Sequence, residues 1–324
     1  MRSLLSASLS QSTWRKNASA FNCFTEFEKF TGTKNIWPLN DKTVNTFVEW
    51  SLLKKGLKHS TVSSYLSSLN FLHKVQGLNG SSCTNFLAKT LIRGAENLDF
   101  YKHLTKGSRK VMTLSLLKIL GHQLSISGWS KDSIQVIWAV ATTAFFGSFR
   151  LGEILCSNAQ KFTSSEVLTW EDVKFKDDSI VIGIKIPKSR KPKGEFVDLF
   201  EVKGYNCCPV AALRKLRMMK GRNTDMKKPV FSFESGICLT PQAMNSVLRS
   251  LLTPVMGKSA ELFSGHSFRA ALPSALANRP DLASDEDIKR WGRWSSPSFE
   301  IYTRLKPTQR KIIFYKIVAA LKTL

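Results

Sequence analysis

The sequence is short of acid. Asp and Glu number 24 against 48 Lys and Arg, leaving a formal net charge of +24 on 324 residues. A surface so far from self-neutral calls for an anionic partner: nucleic acid, an anionic membrane or an acidic protein. The excess is not a tail, because basic residues outnumber acidic ones about two to one on both sides of residue 105. Spread in this way it favours a broad nucleic-acid footprint, where each neutralised phosphate releases counterions. Long apolar runs are also lacking. The longest, VIWAVATTAFFGSF at 136–149, is too short to span a bilayer. The opening MRSLLSASLSQSTW has one arginine and no sustained apolar region, a poor signal peptide. Cys23, Cys83, Cys156, Cys207, Cys208 and Cys238 show no CxxC spacing, and the adjacent pair suits neither a disulfide framework nor zinc. Reduced thiols in an intracellular protein are expected. There is no HExxH and no carboxylate set suited to a two-metal nuclease. Gly257-Lys258-Ser259 echoes a nucleotide-binding loop, but Leu252 stands where the first glycine belongs. Metal-free phosphoryl transfer without a cofactor remains open.

What is present suffices for two domains with ordinary cores. In the first hundred residues apolar side chains recur at helical spacing. Ser12 or Thr13 is expected to cap a helix carrying Trp14, Ala18, Phe21, Phe24 and Phe27, and Asn40 or Asp41 one carrying Val44, Phe47, Val48 and Leu52. Ser60 starts a third with Val62, Tyr65, Leu66, Leu69 and Leu72. A fourth begins near Thr84 with Phe86, Leu87, Leu91 and Ile92. Residues 1–101 therefore read as a helical bundle, 102–110 (KHLTKGSRK) as a basic linker, and 111–324 as a second domain. There Thr113 caps a helix and 133–149 forms a buried one turning at Gly147. The period then changes: Val167-Leu168-Thr169-Trp170 is strand-like, Ile180, Ile182, Ile184 and Ile186 share one strand face, and 196–200 pairs back across the basic turn 188–194. Helices return after Pro209, Pro241 and His266 and over 308–321. The fold class expected is mainly α with a small antiparallel β-sheet.

Four patterns carry chemistry. Arg150 ends the apolar segment, with Glu153 one helical turn on, so the carboxylate can orient the guanidinium. Lys188, Arg190 and Lys191 sit on the turn between two strands, where a lysine can reach a groove and protonate a leaving oxygen. In Gly265-His266-Ser267-Phe268-Arg269, histidine and arginine at i and i+3 share a helical face: the arginine can clamp a phosphate and the histidine can move a proton. Last come Gly292-Arg293-Trp294 and, further on, Tyr302-Thr303-Arg304. A phenol of pKa near 10 attacks well only as phenolate, which surrounding cations favour.

In this order the patterns resemble the tyrosine recombinase (phage-integrase-like) family, and the resemblance runs over most of the chain. HSFRAALPSALA and GRWSSPSFEIYTR look most like recombinases of eukaryotic mobile elements, the Ngaro and DIRS retroelements and the cryptons. The resemblance implies a helical core-binding domain, a basic linker and an α+β catalytic domain, clamping duplex DNA together. It places Arg150, His266, Arg269 and Tyr302 in the catalytic set, with Glu153 as the accompanying acidic residue. The lysine is Lys191 by choice, with Lys188 close behind and Arg190 able to take the aligned slot. The His or Trp position falls on Arg293 by counting and on Trp294 with a one-residue shift; an arginine there would keep a phosphate donor and lose the indole packing. The implied reaction cleaves and rejoins DNA through a 3′-phosphotyrosine bond, without metal or cofactor, in a homo-tetramer on two DNA sites, and in the nucleus if the host is eukaryotic. Two alternatives stay open: a catalytically inactive DNA-binding descendant, and a type IB topoisomerase-like enzyme.

The segment KIIFYKIVAAL (311–321) is apolar on one face and, by the resemblance, docks on a neighbouring subunit. Truncation after Arg310 is expected to weaken assembly on DNA more than folding. Sedimentation of protein–DNA complexes beside thermal melting checks this, and equal loss of both counts against it.

Overall fold

The computed structural model describes residues 2–103, 110–185, 195–202, 206–221, 223–276 and 282–294. The chain divides into two compact units, Met1–Gly107 and Ser108–Leu324. The first contains α1 (Arg2–Ser8), α2 (Gln11–Thr31), α3 (Asp41–Glu49), a π-helical turn Trp50–Lys54, α4 (His59–Val75), a 3-10 turn Ser81–Thr84 and α5 (Phe86–His103). Its core is aromatic. Phe24 and Phe27 meet Phe47 edge-on, with ring centroids 5.3 and 5.5 Å apart, a favoured quadrupole arrangement. His73 is buried beside them. Its Nε2 accepts from the Leu39 amide at 3.0 Å, so the proton sits on Nδ1, which donates to the Leu69 carbonyl at 2.7 Å. This histidine is a satisfied core group.

Three expectations shift here. Ser10, not Ser12 or Thr13, caps α2, its hydroxyl accepting from the Thr13 amide at 3.2 Å. α4 begins at His59, with Lys58 as an N-cap that makes no side-chain bond, rather than at Ser60. Ala18 and Phe21 of α2 and Phe86 and Leu87 of α5 do not join the core. Phe86 is 84% exposed, and Ala88 is the buried residue at that end of α5.

The second unit contains α6 (Leu114–Ser125), capped by Thr113 as expected, α7 (Lys131–Phe146) and the single turn α8 (Leu151–Ile154). The sheet follows as β1 (Val173–Phe175), β2 (Ser179–Ile184) and β3 (Glu195–Phe200), in spatial order β1-β2-β3, antiparallel throughout. Ile182 is central, opposite Val173 on one side and Val197 on the other. Then come α9 (Pro209–Lys220), α10 (Pro241–Met256), α11 (Gly265–Arg269), α12 (Ala271–Leu276) and α13 (Asp285–Trp291). The fold is mainly helical with a small antiparallel sheet. α7 is buried on nearly every side, and the core runs from it through Phe149, Trp170, Ile180, Phe231, Phe263 and Phe268. The expected strand at Val167-Leu168-Thr169-Trp170 is reduced to a single antiparallel bridge, Thr169 opposite Pro229, flanked by bonds from the Trp170 amide to the Lys228 carbonyl and from the Val230 amide to the Leu168 carbonyl. The Thr169 amide and hydroxyl both bond to Asp172 Oδ2, which closes a 3-10 turn at Trp170–Asp172 and delays the strand to Val173.

Two turns position everything that follows. α7 ends with Phe149 N–H donating to the Ala144 carbonyl and Ser148 N–H to the Phe145 carbonyl. α13 ends in the same way, Trp294 N–H to Lys289 and Arg293 N–H to Arg290. Both are Schellman turns. Each puts a glycine at the helix cap, then a residue in the left-handed region, then an aromatic side chain folded back over the glycine. The left-handed residues are Ser148 (φ 46°) and Arg293 (φ 57°), where glycine would ordinarily stand. A methyl on Gly147 would overlap the Phe149 ring, and one on Gly292 the Trp294 ring. Gly147→Ala is expected to cost about 1–3 kcal/mol by overpacking. Gly152→Ala, where an added Cβ meets nothing within 4 Å, should change stability by no more than about 0.5–1 kcal/mol. Urea unfolding of the two variants measures the difference.

Candidate active site

The Schellman turn after α7 delivers Arg150 to the N-cap of α8 in extended conformation, not to the helix itself. The expected pairing of Arg150 with Glu153 forms, but by capping. Glu153 accepts the Arg150 amide at 2.9 Å through Oε2 and the Arg150 guanidinium at 2.5 Å through Oε1. Arg269, the last residue of α11, arrives beside them because Gly265 lets α11 approach closely: a Cβ there would lie 2.6 Å from Leu151. The Gly265 amide bonds to Asn245 Oδ1 at 2.7 Å, and the Ser267 hydroxyl to the Lys110 carbonyl at 2.7 Å. Together these bonds hold the Gly-His-Ser-Phe-Arg segment at its first and middle residues.

The centre of the constellation is a carbonyl and a carboxylate. The Ser148 carbonyl accepts from Arg269 Nη1 at 2.5 Å and from Arg293 Nη2 at 3.3 Å. Arg269 Nη2 donates to the Gly292 carbonyl at 2.6 Å, tying the second Schellman turn to the first. Arg293 Nη1 donates to the Gly147 carbonyl at 2.8 Å, and its Nη2 also reaches Glu153 Oε2 at 3.1 Å. Glu153 thus faces three guanidiniums: Arg150, Arg293 and, at 4.0 Å, Arg269. Burial alone would raise its pKa. Arg293, the Arg150 amide, Arg269 and Arg150 outweigh that and hold the carboxyl below the ordinary glutamate value. Burial pulls the Arg293 guanidinium down, opposed by Glu153 and Glu195, the latter 3.7 Å from its Nε. The two turns also exchange aromatic cover. Phe149 lies under Arg293 and Trp294 under Arg269, each 4.8 Å from guanidinium carbon to ring centroid.

The site residues read from the sequence divide as follows. Arg150, Glu153, Arg269, Arg293 and Trp294 converge. The Arg150 side chain is 32% exposed, while that of Arg269 is 1% exposed. His266 is exposed although it shares α11 with Arg269, so the two side chains meet different environments. Trp294 supplies indole packing. The Arg293 side chain turns inward onto the Gly147 and Ser148 carbonyls and Glu153. Lys188, Arg190, Lys191 and Tyr302 lie outside the described residues, as do Ile186 and 308–321. Lys185, just before the strand-connecting turn, bonds to the Ser164 carbonyl, Thr169 and Glu171 at 2.7–3.0 Å and anchors the strand end. Sequence reasoning missed Gly147, Ser148 and Gly292. The available signal was the repeated Gly-x-aromatic pattern of Gly147-Ser148-Phe149 and Gly292-Arg293-Trp294. Among the described residues no group of three or more His, Cys, Asp or Glu is placed to hold a metal ion, and no helix is long and apolar enough to cross a membrane.

The depressed Glu153 pKa has a direction. Its stabilising contribution is complete above the ordinary glutamate value of 4.5 and is lost as pH falls through the lower folded-state value. Glu153→Gln should therefore lower the melting temperature near neutral pH and flatten its decline below about pH 4.3. Melting curves of wild type and variant across that range check the sign.

No protein-family model and no curated protein sequence matches the chain. Solved structures do. The Tn1549 transposon integrase in complex with transposon right-end DNA superposes with a TM-score of 0.63 at 12% identity, over 98% of this chain and 95% of that one. XerH site-specific recombinase bound to palindromic difH substrate, a post-cleavage complex, gives 0.59 at 16% identity, over 89% and 75%. A lambda integrase dimer bound to a COC′ core site gives 0.54 at 14% identity, over 94% and 74%. The chain has the fold of the tyrosine recombinases.

Proposed function

We propose that this protein is a site-specific DNA recombinase that cleaves and rejoins strands through Tyr302, serving the integration or mobilisation of a genetic element. One observation carries the reading. Arg150 and Arg269, from separate elements, are brought onto one buried carboxylate in a chain with this fold. A cluster of guanidiniums around a single anchor is suited to the charge of a five-coordinate phosphoryl transition state, and fixed donors there are usually the largest catalytic contribution. The solved neighbours are described with DNA, and the net charge of +24 suits the same partner.

In this reading Arg150 and Arg269 address the non-bridging oxygens of the scissile phosphate. Two of the five N–H groups of Arg269 are spent on the Ser148 and Gly292 carbonyls, which fix the plane of its fork. Trp294 covers the other side of that guanidinium. The Tyr302 oxygen attacks phosphorus as His266 takes its proton. The bond from phosphorus to the 5′ oxygen breaks, and that oxygen takes a proton from Lys191, Lys188 being the neighbouring candidate. The product is a 3′-phosphotyrosine and a free 5′ hydroxyl. Because the phosphodiester energy is retained, attack by a 5′ hydroxyl from another strand rejoins DNA without ATP. Exchange between two sites implies a homo-tetramer, and a eukaryotic host implies the nucleus.

The test uses nicked duplexes from the DNA flanking the coding region, so that cleavage releases a short strand and traps the intermediate. Wild type should give a protein–DNA adduct that survives denaturation. Tyr302→Phe should bind the same DNA and give none. Binding without adduct, on duplexes shown to contain the site, would favour the inactive DNA-binding alternative.

A further inference from the structure

Arg293 stands where a helix-ending turn favours glycine. As the left-handed residue of a Schellman turn, at φ 57°, it carries a backbone penalty that glycine would not. A residue retained against its local preference directs attention to its side chain. That side chain is buried, and its terminal nitrogens reach three acceptors on the opposite turn and cap: the carbonyls of Gly147 and Ser148, and Glu153 Oε2. Two of those acceptors also hold the two other arginines. Glu153 orients Arg150, and the Ser148 carbonyl orients Arg269.

We infer that Arg293 is a positioning residue: it clamps the Gly147–Ser148 turn and Glu153 together, so that Arg150 and Arg269 are held in register for one phosphate that Arg293 itself does not touch. The inference rests on the proposed recombinase reading. It departs from the sequence expectation that an arginine at this place keeps a phosphate donor. A guanidinium is required because three oxygens on two segments must be met from one planar group, with Phe149 beneath it. Lysine supplies the charge but not the fork. The adjacent Trp294 divides the labour, covering Arg269 while Arg293 works inward.

The experiment compares Arg293→Gly, which relaxes the backbone and removes the clamp, with Arg293→Lys, which keeps a cation beside Glu153. Single-turnover adduct formation is measured on the nicked duplexes, with melting temperature and DNA affinity alongside. Both variants should fold and bind DNA nearly as wild type, yet form adduct about 100-fold more slowly, the loss expected for misplaced catalytic groups. A second substrate carries a methylphosphonate at the mapped scissile position, removing the charge that a contacting arginine neutralises. The deficit of Arg150→Ala should shrink on it, and that of Arg293→Gly should persist. Adduct formation near the wild-type rate in Arg293→Lys, or recovery of Arg293→Gly on methylphosphonate to the extent seen for Arg150→Ala, overturns the inference. If the glycine variant does not fold, the lysine variant decides by its rate; failure of both to fold makes Arg293 a folding residue and overturns it too. Absence of adduct in wild type sinks the recombinase reading and this inference with it, whereas wild-type adduct with unimpaired variants sinks only the inference.

Discussion

A buried carboxylate surrounded by three guanidiniums sets the terms for the second unit. Only 5% of the Glu153 side chain is exposed, so its charge could not persist without cations at hand. Equally, Arg150, Arg269 and Arg293 would repel one another without it. Neither sign is stable alone in that volume. Together they form a network with net positive charge left over. The network is held by backbone as much as by charge. The carbonyls of Gly147, Ser148 and Gly292 all accept from these arginines. They point at them because two helices end in the same type of turn.

That arrangement explains an economy in the sequence. Each turn places a glycine at its cap so that an aromatic ring can fold back, and each ring then lies against one guanidinium of the cluster, Phe149 against Arg293 and Trp294 against Arg269. Packing, hydrogen bonding and electrostatics thus converge on the same few residues. The local rule that is broken, a non-glycine residue in the left-handed region, is broken on both sides of the same contact.

Much of the architecture was legible because it depends on short-range rules. Asn40 and Thr113 cap where their side chains accept from the third residue on, and Ile180, Ile182 and Ile184 alternate into the core as their spacing requires. The failures came where one interaction outweighed periodicity. Asp172 captured Thr169 and cut an expected strand to one antiparallel bridge followed by a 3-10 turn. Phe86 matched a helical stripe yet faces solvent, because periodicity does not say where the neighbouring helices stop. In the site, the ordered residue types were visible, but the inward direction of Arg293 was not. Its partners lie about half the chain away, and no local spacing encodes that they will be buried together.

The long sequence separation between the two turns also bears on biosynthesis. The Gly147 carbonyl and the Arg293 guanidinium are 146 residues apart along the chain, so the contact closes a large loop and cannot exist until the later segment has been synthesised. A nascent chain can complete α7 and present Arg150 while its clamp is still inside the ribosome. During that interval Glu153 has one arginine neighbour instead of three. The arginine cluster is therefore assembled only once the later segment has been made, well after α7 and Glu153.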